Sequence, residues 1–179
     1  MAERPRAGPV TDRDRDRAGR PRNARPRDAL GRPLPRSAPP PATAAVPADL
    51  TPSESAGIGG SLLLEGDPFQ AHEIFEDAWK SAPGPERDLW QGLAQVAVGL
   101  THARRGNERG AVALLTRGAG RLRDYAARAE APAHAGTPLP YGIDVAFVVT
   151  RAGELAARIE RDGLAALPPQ ALLLCLAAG

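Results

Sequence analysis

Residues 89–103 read LWQGLAQVAVGLTHA, fifteen positions without a charged side chain. At 3.6 residues per turn this run shows apolar groups on nearly every side, interrupted only by Gln91, Gln95, Thr101 and His102. A helix that is apolar all round is buried among others. The run therefore predicts a central helix, about residues 85–105, and an all-α, compact helical bundle of about four to five helices around it.

The flanking segments supply those partners. Upstream, Asp67-Pro68-Phe69-Gln70 has an N-cap residue, a proline at the first helical position and Gln at the third, which predicts a capping box and a helix to about residue 82. Pro83-Gly84-Pro85 breaks it. A shorter helix over 53–64 is weakened by Gly57, Gly59 and Gly60. Downstream, Gly106-Asn107 ends the central helix and caps the next. There Ala111, Leu114, Leu115, Gly118, Leu122, Tyr125 and Ala129 form one helical stripe. Residues 131–142 read as a loop. A last long helix over 143–162 buries Phe147, Val148, Ala152, Leu155 and Ile159, and the apolar end at 171–178 is expected to fold back onto the core. No strand-like alternation occurs, and no 34-residue repeat recurs.

Eleven of the 19 prolines lie in residues 1–52, which also hold alternating charge. That composition offers too little apolar surface to offset the entropy of ordering, and predicts a disordered Arg/Pro-rich leader over 1–52 and a helical domain over 53–179. Residues 1–36 carry a net charge of +6 and the remainder −4, within a total of +2. The mildly acidic remainder argues against a nucleic-acid surface on the folded domain, and the leader is at most a weak polyanion-binding arm. Cys175 is the sole cysteine, which forbids an internal disulfide and a multi-cysteine zinc site. No segment has the length of a membrane span and no secretory signal pattern appears, so the expectation is a soluble cytoplasmic protein.

The chemistry concentrates in AHEIFEDAWK, residues 71–80. It nearly spells a zinc-protease HExxH, with Glu76 where the second histidine would stand. On a helical wheel His72 and Glu76 fall at the edge of the apolar face between Phe69 and Trp79, while Glu73, Asp77 and Lys80 turn to solvent. The central helix has a matching polar stripe at Gln91, Gln95 and His102. If the two helices form an antiparallel hairpin about Gly84, Glu76 opposes Gly92, His72 comes within reach of Gln95, and Gly92 and Gly99 let this pair approach closely. His102 falls roughly 9 Å further along the axis at 1.5 Å per residue. Trp79 and Trp90 read as core anchors or as walls of a small pocket beside the seam. His134 reads as a solvated loop residue and Cys175 as inert packing.

Three readings of this seam stay open. It is a buried hydrogen-bond network of His72, Glu76, Gln91 and Gln95. It is a metal site on His72 and Glu76, completed by Glu73, His102 or water, with zinc, manganese or iron as the suited first-row ions. Or it is a metal-free acid/base pair. No phosphate-binding loop, dinucleotide-binding glycine pattern or GxSxG is present.

AHEIFEDAWK together with LWQGLAQVAVGLTHARRGNERGAVALL resembles the DUF309 family of small bacterial and archaeal proteins. The resemblance rests on His72, Glu76 and Trp79, and on Gln91, Gly92, Leu93, Gln95, Ala97, His102, Gly106, Asn107, Gly110 and Ala111. It spans about residues 62–123. It implies a compact helical bundle of unknown function whose His/Glu motif is suspected of binding metal. Two functions follow as expectations: a metal-binding or small hydrolase-like enzyme centred on His72 and Glu76, or a non-catalytic helical scaffold that binds a protein partner or forms a homo-oligomer. The scaffold reading expects an exposed apolar patch near residues 53–64.

Overall fold

The computed structural model describes Asp28, residues 30–35, 37–38, 49–129 and 140–177. Among the described residues five α-helices follow one another: α1 (Pro52–Glu65), α2 (Pro68–Ser81), α3 (Arg87–Arg104), α4 (Glu108–Ala129) and α5 (Val145–Asp162). Short 3₁₀ turns sit at Gly84–Glu86, Pro140–Gly142, Leu164–Ala166 and Pro169–Leu172. No β-strand occurs among the described residues. Each helix packs chiefly on its neighbours in the chain. The disordered-leader expectation falls largely outside the described residues. Within 28–35, the Leu30 carbonyl accepts the Arg105 guanidinium at the end of α3, and the Gly31 backbone lies against the Phe69 ring.

Local sequence explains the ends. Thr51-Pro52-Ser53-Glu54 caps α1 with a full capping box: the Thr51 hydroxyl accepts the Glu54 N–H at 3.3 Å, and the Glu54 carboxylate accepts the Thr51 N–H at 2.8 Å. At α2 the expected box is only half made. Asp67 accepts the Gln70 N–H at 3.2 Å, but the Gln70 side chain donates to the Asp67 carboxylate at 2.9 Å. The Asp67 N–H is already taken by the Leu62 carbonyl at 2.8 Å, because Gly66 turns α1 back on itself with φ 80°. Gly106 (φ 75°) and Asn107, whose side chain accepts the Gly110 N–H at 3.0 Å, make the expected stop and restart between α3 and α4.

α3 is the central helix, with Leu89, Trp90, Leu93, Val96, Ala97 and Leu100 nearly sealed from solvent. Each such large side chain contributes roughly 1.5–3 kcal/mol of burial. The glycines do not serve the pairing expected of them. Gly92 and Gly99 face α4, not α2: a Cβ on Gly92 would sit 2.7 Å from Leu122, and one on Gly99 2.8 Å from Leu115. Gly118 reciprocates, its missing Cβ lying 2.9 Å from the Gly92 carbonyl oxygen and 3.0 Å from the Val96 nitrogen. The close helix contact is thus α3–α4, where backbone meets backbone. Gly59 of α1 receives the Phe75 ring in the same manner.

α5 buries Val145, Val148, Ala152, Leu155, Ala156 and Ile159, while Phe147, expected in the core, is only half-buried. The chain end packs back as expected: Leu174 and Leu176 are buried, and the Leu176 carbonyl accepts the Asp144 N–H at 2.8 Å. Leu64, 50% exposed, is an isolated large apolar residue at the surface of α1 and does not by itself make the patch that a scaffold would present. His134 and the loop over 131–139 lie outside the described residues.

Candidate metal centre

α2 carries the site on its second and third turns. His72 lies one turn inside the Asp67 cap, half-buried beside Phe69, whose ring centroid is 6.3 Å away. Its Nε2 faces the Glu76 Oε2 at 3.6 Å. The other Glu76 oxygen faces the Lys80 ammonium at 3.5 Å, and Lys80 is shared with Asp77 at 3.1 Å. Glu73 is exposed, as the wheel requires, yet its long side chain reaches back to the pair. His72, Glu73 and Glu76 each offer a donor atom within 4.8 Å of the others. A wheel fixes where a Cα–Cβ bond points; it does not limit where the further methylene group carries the carboxylate.

Burial lowers the His72 pKa from the ordinary 6.5, and the Lys80 charge adds to that; Glu76, Glu73 and Asp77 pull the other way and do not prevail. The imidazole is therefore neutral at neutral pH, which is the form that donates a lone pair to a metal. Bonds near 2.1 Å at tetrahedral angles put donor atoms about 3.4 Å apart, and the 3.6 Å between Nε2 and Oε2 suits that spacing. One imidazole and two carboxylates are a borderline-to-hard donor set.

His102 stands elsewhere. Its Nδ1 lies 2.6 Å from the Asn107 side-chain nitrogen and packs on Gly110, at the turn into α4. It is not among the three residues whose donor atoms converge. Burial, then the Arg105 charge, lowers its pKa. Trp90 is fully buried between Phe75 (6.3 Å) and Tyr141 (5.5 Å, stacked), as a core anchor. Trp79 is half-buried under the Arg87 guanidinium at 5.6 Å. The expected hydrogen-bond network is not closed: His72 Nδ1 and Gln95 Oε1 are both shielded from solvent and both lack a partner. Gln91 is half-buried on the same edge of α3.

Residues 59–114 match the family model described as "Domain of unknown function (DUF309)". The resemblance read from the sequence therefore holds from the middle of α1 to the first two turns of α4, the segment that contains His72, Glu76 and Trp79. The "Uncharacterized protein YpuF" of Bacillus subtilis (strain 168) is 46% identical over 50 residues, 27% of this chain and 29% of that protein. The chain thus spans less than a third of the length of this relative. No solved structure matches the chain significantly. No helix among the described residues is long and apolar enough to cross a membrane.

Proposed function

We propose that His72, Glu73 and Glu76 bind one divalent first-row ion, zinc, manganese or iron, making the helical domain a small metal-binding protein. The observation that carries this reading is the convergence of the three donor atoms within 4.8 Å on one face of α2. The neutral, half-buried His72 supports it, because the group need not lose a proton to coordinate.

Within such a site the chain's own groups divide the work. His72 Nε2 and a Glu76 oxygen form the fixed pair, since both sit on the packed edge of the helix. Glu73, which is exposed, completes the set from the solvent side. Phe69 screens one side of the imidazole. Lys80 competes with the metal for Glu76 and sets how much of its charge is available. Three protein ligands leave coordination positions free, the pattern of catalytic more than structural sites, and a bound ion there supplies Lewis-acid and water-activating chemistry. That is the basis for the enzyme reading, a small hydrolase-like activity.

The test is metal analysis of protein purified without chelator, followed by calorimetric titration of the metal-free form with zinc and manganese. One ion per chain is expected, with His72→Ala and Glu76→Gln losing it while the helical circular dichroism is kept. Wild-type protein that takes up neither ion, and whose melting is unchanged by chelator, overturns the proposal.

A further inference from the structure

The seam holds two shielded atoms that the proposed ligand set does not use: His72 Nδ1, the ring nitrogen other than the one facing Glu76, and Gln95 Oε1. Burying an unpaired polar atom is costly, so each demands a counterpart. The contacts between α2 and α3 fix which residues meet. Arg87 covers Trp79, and Phe75 meets Trp90. The helices therefore run antiparallel. One turn further toward the start of α2 is one turn further toward the end of α3, which places residue 72 opposite residues 93 and 94, beside Gln95. His72, Phe75 and Trp79 lie at i, i+3 and i+7, and Arg87, Gln91 and Gln95 at i, i+4 and i+8, so each trio follows one edge of its helix.

We propose that Gln95 is the positioning residue for His72. A side-chain rotation that brings its Oε1 onto the Nδ1 proton makes the bond that neither atom makes in this structure, and holds the ring in the tautomer whose lone pair is on Nε2. This inference rests on the metal reading only for its purpose. Nε2 is the nitrogen that faces Glu76, so this tautomer presents three acceptor atoms to one point. With the proton on Nε2, the ring would instead donate to Glu76 and turn a lone pair toward Gln95. Metal-binding histidines are oriented by a partner on their second nitrogen, and loss of that partner weakens metal binding by about 10–100-fold.

The experiment reads the ring nitrogens of His72 directly, by long-range ¹⁵N–¹H correlation of the metal-free full chain at about pH 8, where the ring is neutral. The signals are assigned by their loss in His72→Gln. Wild type is expected to show Nδ1 protonated. Gln95→Met, similar in shape but without the acceptor, is expected to lose that preference and to bind zinc about 10–100-fold more weakly. Gln95→Glu, which keeps an acceptor, is expected to restore both. A wild-type ring protonated on Nε2 overturns the proposal even if zinc binds normally. So does a His72 spectrum unchanged by Gln95→Met, since Gln95 then does not hold the ring. Conversely, an Nδ1 proton that depends on Gln95 in a protein with no affinity for metal supports the pairing and sinks the metal reading alone. Should Gln95→Met fail to fold, the wild-type tautomer decides.

Discussion

His72 is the residue on which folding and the proposed chemistry meet, and its burial has a consequence for acid stability. In the fold its pKa lies below the ordinary 6.5, first because the ring is buried. The unfolded chain thus binds more protons than the folded one as pH falls below about 6.5. Stability from this group is complete above that pH and is lost on going down through the folded pKa. Metal-free protein is expected to melt at a lower temperature at pH 5.5 than at pH 8, with part of the difference removed in His72→Gln. His102 shifts in the same direction, so His102→Gln is the control; equal acid sensitivity in wild type and both variants contradicts the account. Tyr141 gives a second test at this scale. It adopts a left-handed backbone (φ 55°, ψ 27°), stacks on Trp90, and hydrogen-bonds Glu86, which with burial pushes its phenol up to about 12. Tyr141→Phe keeps the stacking and is expected to cost about 1 kcal/mol in chemical denaturation. A value near zero would mean that water replaces the bond without loss.

At the scale of elements, glycine acts in opposite ways at two positions of α4. Gly118 faces the α3 backbone, whereas a Cβ placed on Gly120 would meet nothing within 4 Å. Alanine is the better helix former by roughly 0.8–1 kcal/mol. Gly120→Ala is therefore expected to stabilise by up to about that amount. Gly118→Ala must push apart two backbones and is expected to destabilise by about 1–3 kcal/mol. Urea melts of both variants check this, and the same sign for both would refute the α3–α4 contact. The caps of α1 and α2 give a further measure: Thr51→Ala and Asp67→Ala are each expected to cost about 1 kcal/mol.

For the whole molecule, the proposed boundary lies just ahead of α1. A chain beginning at Asp49 is expected to keep its helical signal and cooperative melting. It should melt somewhat lower, because it lacks the Leu30 carbonyl that Arg105 holds and the Gly31 backbone against Phe69. Loss of cooperative folding would show that the leader belongs to the domain.

Much of this architecture is local, and so is legible in the chain. The uncharged run 89–103 announces a buried helix because periodicity and burial are properties of one segment. Asp67-Pro68 and Gly106-Asn107 mark ends because capping joins residues three or four apart. The motif His72, Glu76 and Trp79 is legible for the same reason. What the sequence left undetermined is which surfaces meet. Gly92 and Gly99 are notches on α3, but only packing shows that α4, rather than α2, fills them. Glu73 comes within 4.8 Å of the His72–Glu76 pair through side-chain reach that no wheel records. His102, on the polar stripe of α3 with Gln95, is drawn away by Asn107 and Gly110 across the next turn. Helix identity comes from contacts along the chain. The partner of each face comes from contacts between distant segments, where shape and unpaired polar atoms decide.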